Sequence, residues 1–391
     1  MEQKELTENQ KEQKQIKNVL ELAYQKAVTL DLENLENIKL EKKQLEWISI
    51  IADNIENQTG VVTVLITSFV KKIVKPTQDI RAHKKELKGG YSGRTLDTAV
   101  VTPFMLDTFG PRFSMKESGW LSRTLEQSQA YTLNYKGKIN PKVKVPFLAI
   151  QNDVQMKGGD PEKYLFVLFA KILKMKQEFD SQPTTIKKIG GQIQISKIIQ
   201  LQKIFWSKAH SRAPVIAVKT LLDLLVCETK RYEEMEIPDL EAHTTSDSHS
   251  TATGDIEIIN SDTQKIFESY EIKHEIKIDQ RIILNVQEKI QKNPAQRYFI
   301  LTTAQEIIKS EDSSKVSEVV EQIFLESGCT VMIQSLVHFL YSNLLILENP
   351  QDFITKFYEN LRKDANDHGS FNKEILKLWV NLTEKLYPKS N

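Results

Sequence analysis

Two short stretches constrain this chain more than any other part of it. Gly254-Asp255-Ile256-Glu257-Ile258 and Ser269-Tyr270-Glu271-Ile272-Lys273-His274-Glu275-Ile276-Lys277-Ile278 both alternate charged and apolar residues. A period of two belongs to strands buried on one face. It places Asp255 and Glu257 on one side of the first strand, and Glu271, Lys273, Glu275 and Lys277 on one side of the second. His274 falls on the apolar side and reads as a packed core histidine. Between the stretches, Asn260-Ser261-Asp262-Thr263 is a cluster of turn formers, so the strands are expected to pair as a hairpin. In an antiparallel pair, Asp255 meets Glu271 only if the register or a bend brings it there, which the sequence leaves open.

Two carboxylates and an ammonium on one surface suit hydrolysis of a phosphodiester. A hard divalent cation such as Mg²⁺ takes carboxylate oxygens and stabilises charge developing on phosphate, and a lysine orients or helps deprotonate the attacking water. The order Asp, turn, Glu-X-Lys at Asp255, Glu271, Ile272 and Lys273 resembles the catalytic core of the PD-(D/E)XK nucleases, type II restriction endonucleases in particular. That resemblance implies that Asp255 and Glu271 hold Mg²⁺, that the backbone carbonyl of Ile272 completes the site and that Lys273 serves the water. Gly254 stands where the family name has proline. Glu228, near the end of the preceding helix, is the candidate for the further acidic residue that many members carry there; a solvated glutamate is its plainer explanation. For the charged face as a whole, the alternative is an amphipathic hairpin with cross-strand Glu/Lys pairs.

The flanking pattern supports an α/β fold: a mixed sheet flanked by helices, as in a PD-(D/E)XK restriction-endonuclease-like core, with a largely helical N-terminal region. Residues 5–58 carry two helical stripes broken near Leu30-Asp31-Leu32, and Val61–Val74 reads as a buried helix. Residues 131–146 read as a loop interrupted by Pro141 and Pro146. Asp160-Pro161 opens a strong helix over 162–179, Ser196 is a candidate cap for the next, and a further helix runs from Ser211 to about Arg231. After the hairpin come a helix from Asp279, a strand at 297–303, a helix over 306–326, a strand at 329–333 and helices broken at Asn349-Pro350. Strand, strand, helix, strand, helix, strand implies a mixed sheet. The expected domains are residues 1–150 as a helical and loop region with a role in DNA recognition, 151–345 as the catalytic core and 346–391 as a helical extension.

Two segments of the first region stand out. His83-Lys84-Lys85-Glu86-Leu87-Lys88-Gly89-Gly90-Tyr91-Ser92-Gly93-Arg94-Thr95 joins a basic cluster to a glycine turn, and 115–127 carries Trp120 and Arg123. Both resemble N-terminal segments of some restriction endonucleases, which makes Lys88, Arg94 and Arg123 candidate DNA contacts, with Gly89, Gly90 and Gly93 permitting close backbone approach. A packed, glycine-rich surface loop is the bland alternative.

The 53 Lys and Arg residues nearly balance the 52 Asp and Glu, so no global basic field announces nucleic acid; a local basic cleft remains compatible with that balance. Two cysteines without CxxC spacing argue against a zinc or disulfide scaffold. A charged N-terminus and the lack of a long apolar run give a cytoplasmic expectation with no membrane partner. Walker A, GxGxxG, GxSxG and HExxH motifs do not occur at suitable places. The leading expectation is therefore a type II restriction endonuclease, a site-specific deoxyribonuclease that cuts double-stranded DNA with Mg²⁺. A two-fold target would suit a homodimer, and a cognate DNA methyltransferase is expected as a functional rather than physical partner. The alternatives are a PD-(D/E)XK nuclease of repair, recombination or phage defence with structural specificity, and a non-catalytic DNA-binding protein.

Overall fold

Helical periodicity governs the first half of the chain. In the computed structural model, which describes residues 7–30, 32, 38–121, 124–181, 193–240 and 252–385, this half forms one compact unit, Met1–Gln182, and the remainder a second, Pro183–Asn391. Thr7 caps α1 (Glu8–Val28) through a reciprocal pair with Gln10, and α2 (Lys42–Asp53) follows. The apolar run becomes α3 (Thr59–Val74), buried nearly all round despite its β-branched residues, because tertiary packing outweighs their modest helix propensity. A short α4 (Gly93–Leu96) passes through a π-helical turn, Asp97–Val101, into α5 (Thr102–Phe109).

Residues 131–146 are not the continuous loop expected. Asn140 caps α6 (Pro141–Asn152), Pro141 occupies the first helical position where its missing N–H costs nothing, and Pro146 is accommodated inside the helix. Asp160 caps α7 (Pro161–Asp180) as expected, accepting from the N–H groups of Glu162 and Lys163. The expected boundary at 150 thus falls within α6. Helix α7 belongs to the first unit because Tyr164, Leu165 and Leu168 enter the same core as Leu20 and Phe69, with the Tyr164 and Phe69 rings stacked at 5.6 Å.

The second unit is an α/β arrangement. Helices α8 (Ile195–Trp206) and α9 (Arg212–Glu228) precede β1 (Met235–Glu236), β2 (Ile256–Asn260) and β3 (Ile266–Lys273). Then come α10 (Gln280–Lys292), β4 (Ala295–Thr302), α11 (Ser313–Ser327), β5 (Thr330–Ser335), α12 (Leu336–Leu344), α13 (Asp352–His368) and α14 (Lys373–Glu384). Ser196 lies inside α8, whose cap position is Gln194, and α11 starts at 313 rather than 306.

The five strands form one mixed sheet in sequential order. β1–β2 and β2–β3 are antiparallel, whereas β3–β4 and β4–β5 are parallel, each parallel connection being made by a helix. Alternation sorts β4: Tyr298 and Ile300 join Ile283, Val286 and Ile290 of α10 and Val316 and Ile323 of α11, while Phe299 meets Phe339 of α12 on the other face. The C-terminal helices are part of this unit rather than an extension, since Phe357 of α13 and Trp379 of α14 pack edge-to-face against Phe205 of α8. Among the described residues, no helix is long and apolar enough to cross a membrane.

Candidate active site

The hairpin register supplies what the sequence left open. Ile256, the first residue of β2, pairs with Tyr270 and Glu257 with Ser269, so Asp255, just before the strand, lies beside the Tyr270–Ile272 stretch of β3 that carries Glu271. The Asp255 N–H donates to the Tyr270 carbonyl at 2.8 Å, and its carboxylate Oδ2 accepts the N–H of Ile272 at 2.7 Å. A strand residue's N–H and C=O point to the same edge, so the Ile272 carbonyl also faces the end of β2 where Asp255 lies. β3 begins three residues earlier than expected and stops at Lys273. Glu275 has a left-handed φ of 57° and gives its N–H to Thr303 Oγ1, and Lys277 pairs with Glu306, so neither extends the charged face of the strand. His274, expected in the core, is half-buried, its Nδ1 2.9 Å from Thr303 Oγ1.

Glu271 is the buried member of the pair, at 7% exposure. Its Oε1 receives the Lys273 ammonium at 2.5 Å, and its Oε2 receives Lys289 of α10 at 2.9 Å and the Tyr298 hydroxyl at 3.1 Å. Burial alone would raise its pKa; the two ammoniums outweigh burial and hold it below the usual carboxylate range. Asp255 differs. The protein packed around its carboxyl, and next the negative charge of Glu271, push its pKa up to about 6, although the residue keeps one side open to solvent. The Glu271 charge thus disfavours ionisation of the solvent-facing Asp255, a repulsion that a divalent cation held between the two would relieve.

Carboxylate and carbonyl oxygens are donors suited to a hard divalent cation, an ion that one or two carboxylates can hold while it keeps several waters. Asp255, Glu271 and the Ile272 carbonyl are the atoms that would hold it. Among the described residues, no group of three or more His, Cys, Asp or Glu side chains is arranged to hold a metal ion.

Gly254 has a steric reason to lack a side chain. A Cβ there would lie 2.5 Å from Ser269 Oγ and 2.6 Å from the Tyr270 carbonyl oxygen. The close crossing of β2 and β3 that aligns Asp255 with Glu271 therefore excludes proline at this position as well as alanine. Glu257 stays beside the site but accepts the Thr253 N–H at 2.5 Å. Glu228 does not join the pair: it ends α9, which packs with α12 on the other side of the sheet, and its Oε2 accepts the Glu348 N–H at 2.9 Å.

Lys289 and Tyr298 were missed by sequence reasoning. Lys289 lies three residues after Val286, beside the buried stripe of a helix that must cover this face, and Tyr298 sits inside what reads as a plain buried strand. A second buried acid, Glu268, occupies the opposite face of β3, where it takes the hydroxyls of Tyr232 and Tyr270 at 3.0 and 2.6 Å and pairs with Arg231. Three donors account for it without catalysis.

In the first unit, the two singled-out segments meet each other. Asp97, fully buried, accepts from Ser118 Oγ at 2.7 Å, the Gly119 N–H at 2.8 Å and Thr102 Oγ1 at 2.7 Å. Trp120 donates to Tyr131, and His83 stacks on Tyr131 at 4.2 Å. Gly93 is needed because a Cβ would sit 2.8 Å from Trp120, and a Cβ on Gly90 would lie 1.7 Å from the Lys84 carbonyl oxygen. These two glycines thus serve internal packing, which needs no DNA to explain it. Lys88 is exposed, and Arg94 pairs with Glu126 at 3.2 Å. Arg123 lies outside the described residues. Compared with protein-family models the chain finds no match, and no curated protein matches it.

Proposed function

We propose that this protein is a Mg²⁺-dependent DNA endonuclease of the PD-(D/E)XK type, acting as a type II restriction enzyme. One observation supports this most: Asp255 is tied to Tyr270 and Ile272, the residues on either side of Glu271, and Lys273 lies on the Glu271 face two residues on. The sequential mixed sheet with helical crossovers after β3 and β4 supports it further, since the resemblance calls for this order. A bound Mg²⁺ supplies charge stabilisation at the phosphate being attacked.

The chain's own residues do the rest. Asp255 and Glu271 fix the position of the cation through their carboxylates, and the backbone of Ile272 ties Asp255 to β3. Lys273 orients the attacking water and offers its ammonium to the charge that accumulates. Water oxygen bonds to phosphorus in line as the bond to the 3′ oxygen breaks, and a proton passes to that oxygen, leaving a 5′-phosphate and a 3′-hydroxyl. Lys88, Arg94 and Arg123 are assigned to phosphate contacts on double-stranded DNA, Arg94 exchanging Glu126 for a phosphate oxygen. A homodimer would place one site on each strand, and a cognate methyltransferase would protect the host's own sites.

Plasmid digestion tests this directly. Purified protein with Mg²⁺ should convert supercoiled DNA to discrete fragments whose sequenced ends share one short motif. Smearing or cutting only at junctions would assign the same chemistry to a structure-specific nuclease. Binding without cleavage in both Mg²⁺ and Mn²⁺ would rule out the nuclease.

A further inference from the structure

We infer that Lys289 is a positioning residue which holds Glu271 until the cation arrives and is displaced from it when the site is loaded. This deepens the nuclease proposal and rests on it. Lys273 and Glu271 share one strand and one face, so their contact is set by the strand itself. Lys289 comes from a separate element, α10, and reaches across to the other carboxylate oxygen, Oε2, at 2.9 Å. The same oxygen receives the Tyr298 hydroxyl, which also lies 2.7 Å from the Thr253 carbonyl and so has a second acceptor available.

Asp255 and Glu271 bring two negative charges and Lys273 and Lys289 two positive ones, so the cluster is neutral as it stands. A divalent cation entering a neutral cluster gains little from it unless a donor leaves Glu271. The two ammoniums are about equally exposed, at 28% and 27%, but Lys289 is the one able to leave, because its long stem runs from a separate helix whereas Lys273 is held beside Glu271 by their shared strand. With a cation held there, the phosphodiester and the negative charge that builds up during attack by water would bring negative charge back to the cluster. The released ammonium can then meet a non-bridging phosphate oxygen.

Removing the Lys289 charge therefore pushes two readouts in opposite directions. Without its competitor, the carboxylate pair binds a cation more tightly; without its second ammonium, the loaded site handles phosphate poorly. A lysine that merely braced the fold would weaken both together.

The test titrates Mn²⁺ by electron paramagnetic resonance into the full-length wild type, Lys289→Met, Lys289→Arg and Asp255→Asn, followed by single-turnover cleavage at saturating Mn²⁺. Lys289→Met should bind Mn²⁺ roughly fivefold more tightly yet cleave about tenfold more slowly or worse, with Lys289→Arg between it and wild type. Circular dichroism melts establish that each variant is folded, which the half-exposed side chain favours. Unchanged or weaker Mn²⁺ binding by Lys289→Met, alongside wild-type binding that Asp255→Asn abolishes, overturns the role of Lys289 and leaves the nuclease proposal standing. Wild-type protein that binds no Mn²⁺, or binds it equally well after Asp255→Asn, overturns both.

Discussion

Asp255 is the residue whose state controls the rest of the site. Its pKa, raised from 3.8 to about 6 by the protein packed around the carboxyl and then by Glu271, means that it takes up its proton as pH falls through about 6. Only the ionised form ligates a cation, so Mn²⁺ affinity should climb as pH rises through about 6 and level off above it. Calorimetric titrations at pH 5, 6 and 7 check this, and a flat profile would count against Asp255 as a ligand. The sign for stability is opposite: between 3.8 and about 6 the unfolded chain has already ionised while the folded one has not, so this group's contribution falls as pH rises. His83 behaves differently. Burial against Tyr131 and Trp120 lowers its pKa from 6.5 to about 4, so its stabilising contribution is complete above 6.5 and is lost as pH falls toward 4. That shift corresponds to about 3 kcal/mol at this almost fully buried site. His83→Phe, which keeps the stacking, should flatten the acid limb of a denaturation profile over that window; an unchanged limb would place the acid sensitivity elsewhere.

At the scale of the element, the hairpin depends on a missing side chain. Gly254→Ala drives a Cβ against Ser269 Oγ and the Tyr270 carbonyl, and the backbone contact cannot yield without shifting the Asp255 N–H bond. The expected cost is about 1–3 kcal/mol, with cation affinity reduced as Asp255 leaves Glu271. Gly254→Pro, although it introduces the proline of the motif that this stretch resembles, should be at least as damaging, which thermal melts of the two variants will show. The alternation at 254–258 and 269–273 made both strands legible from sequence, because one-face burial imprints a period of two. The register was not legible, since it is set by the close approach at Gly254 and a bulge between Ile258 and Ile259 that no local pattern encodes. The strand's end at Lys273 escaped for a similar reason: alternation persists to Ile278, while Thr303 captures the Glu275 N–H from another part of the chain. Helices capped by their own residues, as at Asp160 and Asp279, were placed to within a residue or two.

For the whole molecule, local signals located the sheet but not the division of the chain. The first unit extends to Gln182 because α7 returns to the core of α1 and α3, a long-range choice that composition does not mark. The same limit applies to the site. Asp255, Glu271 and Lys273 were singled out by the alternation and the motif it resembles, whereas Lys289, which bonds Glu271, enters from a helix packed on that face of the sheet and carries no such signal. Glu228 illustrates the converse, a residue near in sequence that the topology carries to the other face. The measurement that bears most directly on the account is the rate of plasmid cleavage in Mg²⁺ by wild type and by Asp255→Asn, which keeps the size of the side chain. Linearisation by wild type and a loss of about a thousandfold or more in the folded variant is the predicted result. Equal cleavage by the two proteins would contradict the assignment of the Asp255–Glu271 pair as the catalytic centre.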